Sequence, residues 1–164
     1  VHNITRLTEA SGLSDIIFAD ILGLSIRKFR YLKNGTGNLK LNDIENIAVF
    51  FGISVSSLSK NKLKISHDLR EKLFEKYRNN TEYRVHFEET PTMAYAIKFV
   101  LLNYVGFEQC MEIKDIKTFF KAFKWDFKSS ALSHALSRYG DVINISSHPK
   151  KKRTKLYCKR KVRY

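Results

Sequence analysis

The stretch VINISSHPKKKRTKLYCKR, residues 142–160, decides how the second half of this chain folds. Val142, Ile143 and Ile145 suit a strand, and Leu156, Tyr157 and Cys158 lie in a second strand-like run. The intervening SSHPKKKRT is polar, contains Pro149 and carries the consecutive cations Lys150, Lys151, Lys152 and Arg153. Residues 147–164 hold nine Lys or Arg and no acid, which would also suit a solvated tail or a localisation signal. Because Leu156 and Cys158 continue the alternation beyond the loop, we read the cations as the tip of a hairpin. Only residues 161–164 are expected to fray.

The elements before the hairpin follow from hydrophobic spacing. Thr92 is expected to cap a helix over 93–104, with Ala94, Ile97, Val100, Leu101 and Tyr104 on its core face and Gly106 ending it. A short strand is expected at 110–113. The next helix, over 114–124, should put Ile116, Phe119, Phe120 and Phe123 inside. Trp125 to Phe127 should turn the chain into a helix over 128–139, with Ala131, Leu132, Ala135, Leu136 and Tyr139 apolar.

This order (helix, short strand, helix, helix, strand, basic loop, strand) resembles a winged helix over about residues 92–161. The resemblance implies that the basic loop is a wing, able to lie on phosphates or enter the minor groove. It also implies that the helix over 128–139 is a recognition helix offering Lys128, Ser129, Ser130, Ser133, His134, Ser137 and Arg138. Hydroxyls and backbone donors at a helix N-terminus suit phosphates. With Lys150, Lys151, Lys152, Arg153 and Lys155, these are the DNA-binding candidates of the second half.

The first sixty residues read as five short helices. Residues 4–10 form an amphipathic segment ended by Gly12. Ser14 caps a helix running to Leu22, Gly23 ends it, and Ser25 caps a third through Lys33. Asn34-Gly35 is a turn. Asn42 is expected to cap a fourth helix carrying Ile44, Ile47, Ala48 and Phe51, which Gly52 stops; 54–58 is a last turn. LSDIIFADILGLS (13–25), the Asn34-Gly35 turn and FGISVSSL (51–58) together resemble the lambda-repressor/Cro-like helix-turn-helix family along about residues 3–59, with Ala19 and Gly23 at its small positions.

That resemblance implies that the third helix enters a major groove with Ser25, Ile26, Arg27, Lys28 and Arg30 outward and Phe29 and Leu32 inward. Arg and Lys there would read guanine edges or bind phosphate. The chain departs from the family at several points. Asp15 stands where Gln is usual and would face phosphates. The pairing of an Arg in helix one with a Glu ending helix three is replaced by Thr8 and Lys33. Ile16, Ile17 and Ile26 put apolar side chains near the DNA face, where they contact thymine methyls, pack inside or form a protein interface.

Residues 61–91 are expected to form a connecting helix and linker. Ser66 would cap a helix over 67–78 with Leu69, Leu73, Phe74 and Tyr77 on one face. EYRVHFEE (82–89) alternates like a short strand or an extended linker, and His86 reads as a surface histidine.

Bulk properties bound the function. The 164 residues are 43% hydrophobic and 13% aromatic, enough for a core in one or two small domains. The longest apolar run, AIKFVLLNYVGF, contains Lys98 and Asn103 and falls short of a membrane span, so no membrane partner and no secretory leader are expected. Cys110 and Cys158 make no disulfide framework, which sets a cytoplasmic, nucleoid-associated location as the expectation. The five scattered histidines lack zinc-ligand spacing, so neither metal nor other cofactor is expected. Residues 1–60 hold 7 Lys and Arg against 5 Asp and Glu; residues 61–164 hold 23 against 11. The excess calls for a polyanion. With no nucleotide loop, G-x-S-x-G or HExxH motif, no enzyme is expected.

The fold expected is mainly α: a five-helix repressor-like helix-turn-helix domain at 1–60 and a small α+β winged helix at 92–164. The expected function is a sequence-specific bacterial transcriptional regulator, a repressor binding double-stranded DNA, of a mobile element and active as a homodimer. Two alternatives stay open. One is a plasmid or phage replication or maintenance accessory protein that holds DNA through the winged helix and a protein partner through the N-terminal domain. The other is an antitoxin-type autoregulator.

Overall fold

The computed structural model describes residues 2–61 and 63–160; the expected frayed end at 161–164 lies outside them. The protein is mainly helical with a small three-stranded antiparallel sheet. It divides into two compact units, Val1–Thr92 and Met93–Tyr164.

The first unit opens with α1 (His2–Ser11), α2 (Asp15–Ile21), α3 (Ile26–Lys33), α4 (Leu41–Phe51) and α5 (Val55–Leu58). Ser14, Ser25 and Ser54 cap α2, α3 and α5, each hydroxyl accepting a backbone N–H three residues on. Gly23 sits at φ +64° between α2 and α3, where a side chain would be strained. The cap of α4 differs from the sequence expectation. Lys40 rather than Asn42 holds the N-cap position, because Asp43 at the third helical position takes the Lys40 N–H at 3.1 Å. Phe18, Phe29, Phe50 and Phe51 form the core, with ring centroids 5.3–5.5 Å from Phe18.

Residues 61–91 are a brace within this unit, not a linker. They form α6 (Leu69–Lys76) and α7 (Thr81–Glu88). Asp68, not Ser66, is at the N-cap of α6. The strand expected at 82–89 is helix. Tyr83 and Phe87 fall on the same side of an alternating pattern but are also i and i+4 in a helix, so the short run fits both periods. Asn80 decides, accepting the Tyr83 N–H at 3.2 Å as an N-cap, and an Arg84–Glu88 ion pair at 3.2 Å supports the helical spacing.

Interactions at its two ends fix α6. At its start, the buried Arg70 guanidinium donates to the carbonyl oxygens of Ser11 (2.9 Å), Phe87 (2.8 Å), Glu89 (2.9 Å) and His86 (3.3 Å). One side chain thus satisfies the open C-terminal ends of α1 and α7. At its end, the Lys76 ammonium donates to the carbonyls of Val49 and Phe50, and the Tyr77 hydroxyl to that of Phe50 at 2.8 Å, closing the C-terminal end of α4. Burial lowers the Lys76 pKa. Burial, with Tyr83 beside it, raises Tyr77 to about 12. The Tyr77 ring stacks on Phe50 at 5.3 Å.

The second unit begins with a helical run that changes pitch: α8 (Met93–Tyr95), a π turn (Ala96–Val100) and a 3-10 turn (Leu101–Asn103). The shift turns Tyr104, expected in the core, out to 41% exposure. Gly106 does not end the run but lies inside a further 3-10 segment, Val105–Gln109. Then come β1 (Met111–Glu112), α9 (Ile113–Lys121), α10 (Ser129–Ser137), β2 (Ile143–Ser147) and β3 (Lys155–Lys159), with β3 central in the order β1-β3-β2. Ala96, Ile97, Leu101, Phe107, Ile116, Phe120, Leu132, Leu136, Ile143 and Tyr157 build the core. Phe123, expected inside, is exposed: α9 ends at Lys121, which carries Phe123 off the buried face. On β3 the side chain packed in the core is that of Tyr157, opposite Ile145 and Met111, rather than Leu156.

The two cysteines, from which no disulfide framework was expected, are joined. The pairing of Met111 with Tyr157 brings Cys110 opposite Cys158, with Cα atoms 4.1 Å apart and a disulfide between them. Adjacency across strands 48 residues apart in sequence is not visible in spacing alone.

Arg70→Ala should destabilise the first unit by about 3 kcal/mol, since it strands carbonyls at two helix ends. Arg70→Lys should recover only part, because an ammonium cannot bridge both ends. Urea unfolding of both variants measures this. Reducing Cys110–Cys158 should lower the stability of the second unit by about 2–4 kcal/mol, read as a fall in its thermal midpoint in dithiothreitol.

Candidate nucleic-acid interface

α10 presents one face to the core through Leu132 and Leu136, each fully buried, and leaves the other beside the β2–β3 hairpin. The cleft between them is lined by Ser130, Ser133, His134, Ser137, Ile145, Lys155 and Tyr157. It continues past Ser129, Arg153, Thr154, Lys114 and Glu112. The Ser133 hydroxyl and the Tyr157 phenol bond at 2.8 Å on its floor, tying helix to sheet. The Ser137 hydroxyl donates to the His134 carbonyl at 2.8 Å. Lys128, at the N-cap, makes no side-chain cap bond, so its side chain leaves the first-turn amides of α10 uncapped.

Of the candidates read from sequence, Ser129, Ser130, Ser133, His134, Ser137, Arg153 and Lys155 come together along this cleft. Lys128, Arg138, Lys150 and Lys152 are exposed but do not line it. Lys151 is folded back in an ion pair with Glu112.

Sequence reading missed Glu112 and the role of His148. The His148 Nδ1 accepts the backbone N–H groups of Lys150 (3.0 Å) and Lys151 (3.1 Å). Its Nε2 lies 3.5 Å from the Glu112 carboxylate. The ring must therefore be unprotonated at Nδ1, with its proton on Nε2 facing the acid. The His148 N–H donates to the Thr154 carbonyl at 2.8 Å and closes the loop. Lys151's hydrogen bond, with Lys114 nearby, holds the Glu112 carboxyl below the usual glutamate range, and Glu112 in turn raises Lys151. An acid on β1, 39 residues before Lys151 in sequence, reads as an ordinary surface charge until its register next to β3 is known.

In the first unit, α3 exposes Arg27 and Arg30 and half-buries Lys28. The Ser25 hydroxyl is occupied as the cap of α3. Arg27 Nε donates to the Tyr31 hydroxyl at 3.1 Å, its guanidinium 5.5 Å from that ring's centroid. Lys28 pairs with Asp43 at 2.7 Å, and its hydrogen bond holds the Asp43 carboxyl low. Asp15, expected to confront phosphates, pairs with Lys33 at 2.8 Å. These two pairs tie α3 to α4 and to α2. Ile16 is 65% exposed, while Ile17 and Ile26 are half-buried.

Among the described residues no cluster of three or more His, Cys, Asp or Glu could hold a metal ion, and no helix is long and apolar enough to cross a membrane. Comparison with known proteins found no matching family model, no matching curated protein and no matching solved structure.

Glu112→Gln should loosen the basic hairpin. The amides of Lys150 and Lys151 should lose hydrogen-exchange protection relative to the wild type. The folded carboxyl titrates below its unfolded value, so the tie is complete above the ordinary glutamate range and fails as pH falls through the lower folded value. The Lys151 ammonium should accordingly stay paired with the Glu112 carboxylate until the pH falls below the ordinary glutamate range, which carboxyl chemical shifts across an acid titration would follow.

Proposed function

We propose that this chain is a DNA-binding regulator with two heads, α3 of a helix-turn-helix in the first unit and α10 with a basic wing in the second. The observation that carries the reading is the cleft along α10. It sets the hydroxyls of Ser129 and Ser130 and the cations Arg153 and Lys155 beside a hairpin whose shape is held from within. The element order and the β1-β3-β2 sheet support a winged helix, and the serine-capped α2–Gly23–α3 turn supports a helix-turn-helix. The charge agrees: residues 93–164 hold 16 Lys and Arg against 5 Asp and Glu, a net +11 in 72 residues. Duplex DNA is the polyanion that a groove-sized helix with a flanking cationic loop fits.

Within this reading the heads divide labour. The second unit supplies affinity through phosphates, and Arg27 and Arg30 supply base discrimination. A repressor would act by occupying its site, as a homodimer on a palindrome or with both heads on one composite site.

A second reading has one observation in its favour. Residues 1–92 hold 14 Lys and Arg against 11 Asp and Glu, and Lys28 and Lys33 are already paired. With Ile16 exposed, this face also suits a protein partner, which is the replication-accessory or antitoxin alternative.

Selection from a random duplex library separates the two readings. Arg27→Ala with Arg30→Ala should erase the recovered motif, at about 1–3 kcal/mol for each base read, and leave non-specific binding in place. Arg153→Ala with Lys155→Ala should weaken binding to every duplex and flatten the log–log salt slope by about 0.9 for each phosphate that is no longer neutralised. An unchanged motif in the Arg27/Arg30 variant would favour the protein-partner reading.

A further inference from the structure

Apart from the α10 cleft, the second unit carries an aromatic surface in which Phe119 and Trp125 rest on the core and Tyr104 and Phe123 lie outside it. Tyr104 stacks on Phe119 with centroids 4.3 Å apart, Phe119 meets Phe123 edge-on at 5.4 Å, and Phe123 stacks on Trp125 at 4.9 Å. Tyr104 is 41% and Phe123 45% exposed, and the adjacent Val105 is 76% exposed. Rings of this size normally go inside. Here the backbone holds them out. α9 stops at Lys121, and Lys124 adopts φ +63°. The Trp125 N–H returns to the Phe120 carbonyl at 3.1 Å, which brings the indole back over Phe123. A Cβ on Gly106 would lie 2.4 Å from the Tyr104 ring. Only glycine lets that ring settle onto Phe119.

The charge around these rings selects their occupant. Residues 114–128 interleave five lysines with Phe119, Phe120, Phe123, Trp125 and Phe127, against two aspartates. Lys117 pairs with Asp126 at 3.5 Å, while Lys121 and Lys124, on either side of Phe123 in sequence, are exposed. A second copy would bring lysines against lysines. A nucleic-acid strand offers phosphates to the lysines and bases to the rings, and every base has a face that stacks.

We propose that Tyr104, Phe119, Phe123 and Trp125 form a stacking platform for unpaired bases of a nucleic-acid strand, separate from the α10 cleft. Fraying ends, melted segments and single strands are the substrates of this surface. The platform does not depend on the duplex-binding reading above.

Trp125 is the chain's one tryptophan, so tryptophan fluorescence reports on the platform and the core rings directly beneath it. The full chain is titrated with a 20-nucleotide oligothymidylate, and binding of a blunt duplex is followed in parallel by anisotropy. Saturable quenching by the oligonucleotide is expected. Phe123→Ala should weaken it about 5- to 150-fold, and Lys121→Glu with Lys124→Glu, which spares the rings, should weaken it too. Gly106→Ala should act in the same direction by displacing Tyr104. Duplex binding should hold in Phe123→Ala, and the quench should survive Arg153→Ala with Lys155→Ala. No quenching, equal quenching in Phe123→Ala, or a Trp125 change that follows protein concentration without oligonucleotide would overturn the proposal, the last by making this face a self-association surface. Loss of duplex binding alone would count against the α10 cleft and leave the platform standing.

Discussion

Arg70 is a buried cation whose partners are backbone carbonyls of the first unit. Its guanidinium reaches the ends of α1 and α7 at once, and its planar fork suits carbonyls arriving from two directions. Five short helices alone would be marginal, since isolated helices of this length do not persist in water. The brace changes that. Arg70 at one end of α6 and Lys76 with Tyr77 at the other close three helix C-termini, those of α1, α7 and α4. The position of α4 relative to α1 is therefore set partly by residues that lie outside the five helices. The Phe18 ring cluster supplies the apolar half of the same constraint.

A parallel logic shapes the second unit. A loop of consecutive cations repels itself, and a flexible one would lose entropy on meeting a polyanion. Glu112 and His148 oppose both effects. The acid neutralises Lys151, and the imidazole gathers two amides, leaving Arg153 and Lys155 on the cleft side. Giving up one cation to fix the loop is favourable if the remaining cations meet their target without rearrangement. The local pairs Lys28–Asp43 and Lys33–Asp15 do the same for α3, again at the expense of charge.

What could be read from sequence divides along physical lines. Caps and breakers act locally, so Ser14, Ser25, Gly23 and Gly52 showed where helices start and stop. The hairpin at 142–160 was legible because two alternating runs flank one polar loop. The helical state of 81–88 was not, because a short run with Tyr83 and Phe87 at its apolar positions satisfies both periods. Tyr104 and Phe123 misled because pitch changes, a π turn in one case and an early helix end in the other, move a residue off the face that periodicity assigns it. The partners of Arg70, Glu112 and Cys110 were hidden for a different reason. Each depends on elements brought together by tertiary packing, and no local pattern carries that information.

The disulfide gives the second unit a property that non-covalent packing would not. Cys110 and Cys158 close a covalent ring containing α9, α10, β2 and the basic hairpin. The lysine-rich tip of that hairpin is the most obvious place for a protease to cut. A single cut there opens the ring without dividing the molecule, because both new ends remain on one connected chain until the sulfurs are reduced. A machine pulling the chain through a narrow pore meets the same ring as two strands abreast, so the part of the unit that bears the cleft is also the part that resists being drawn out as a thread.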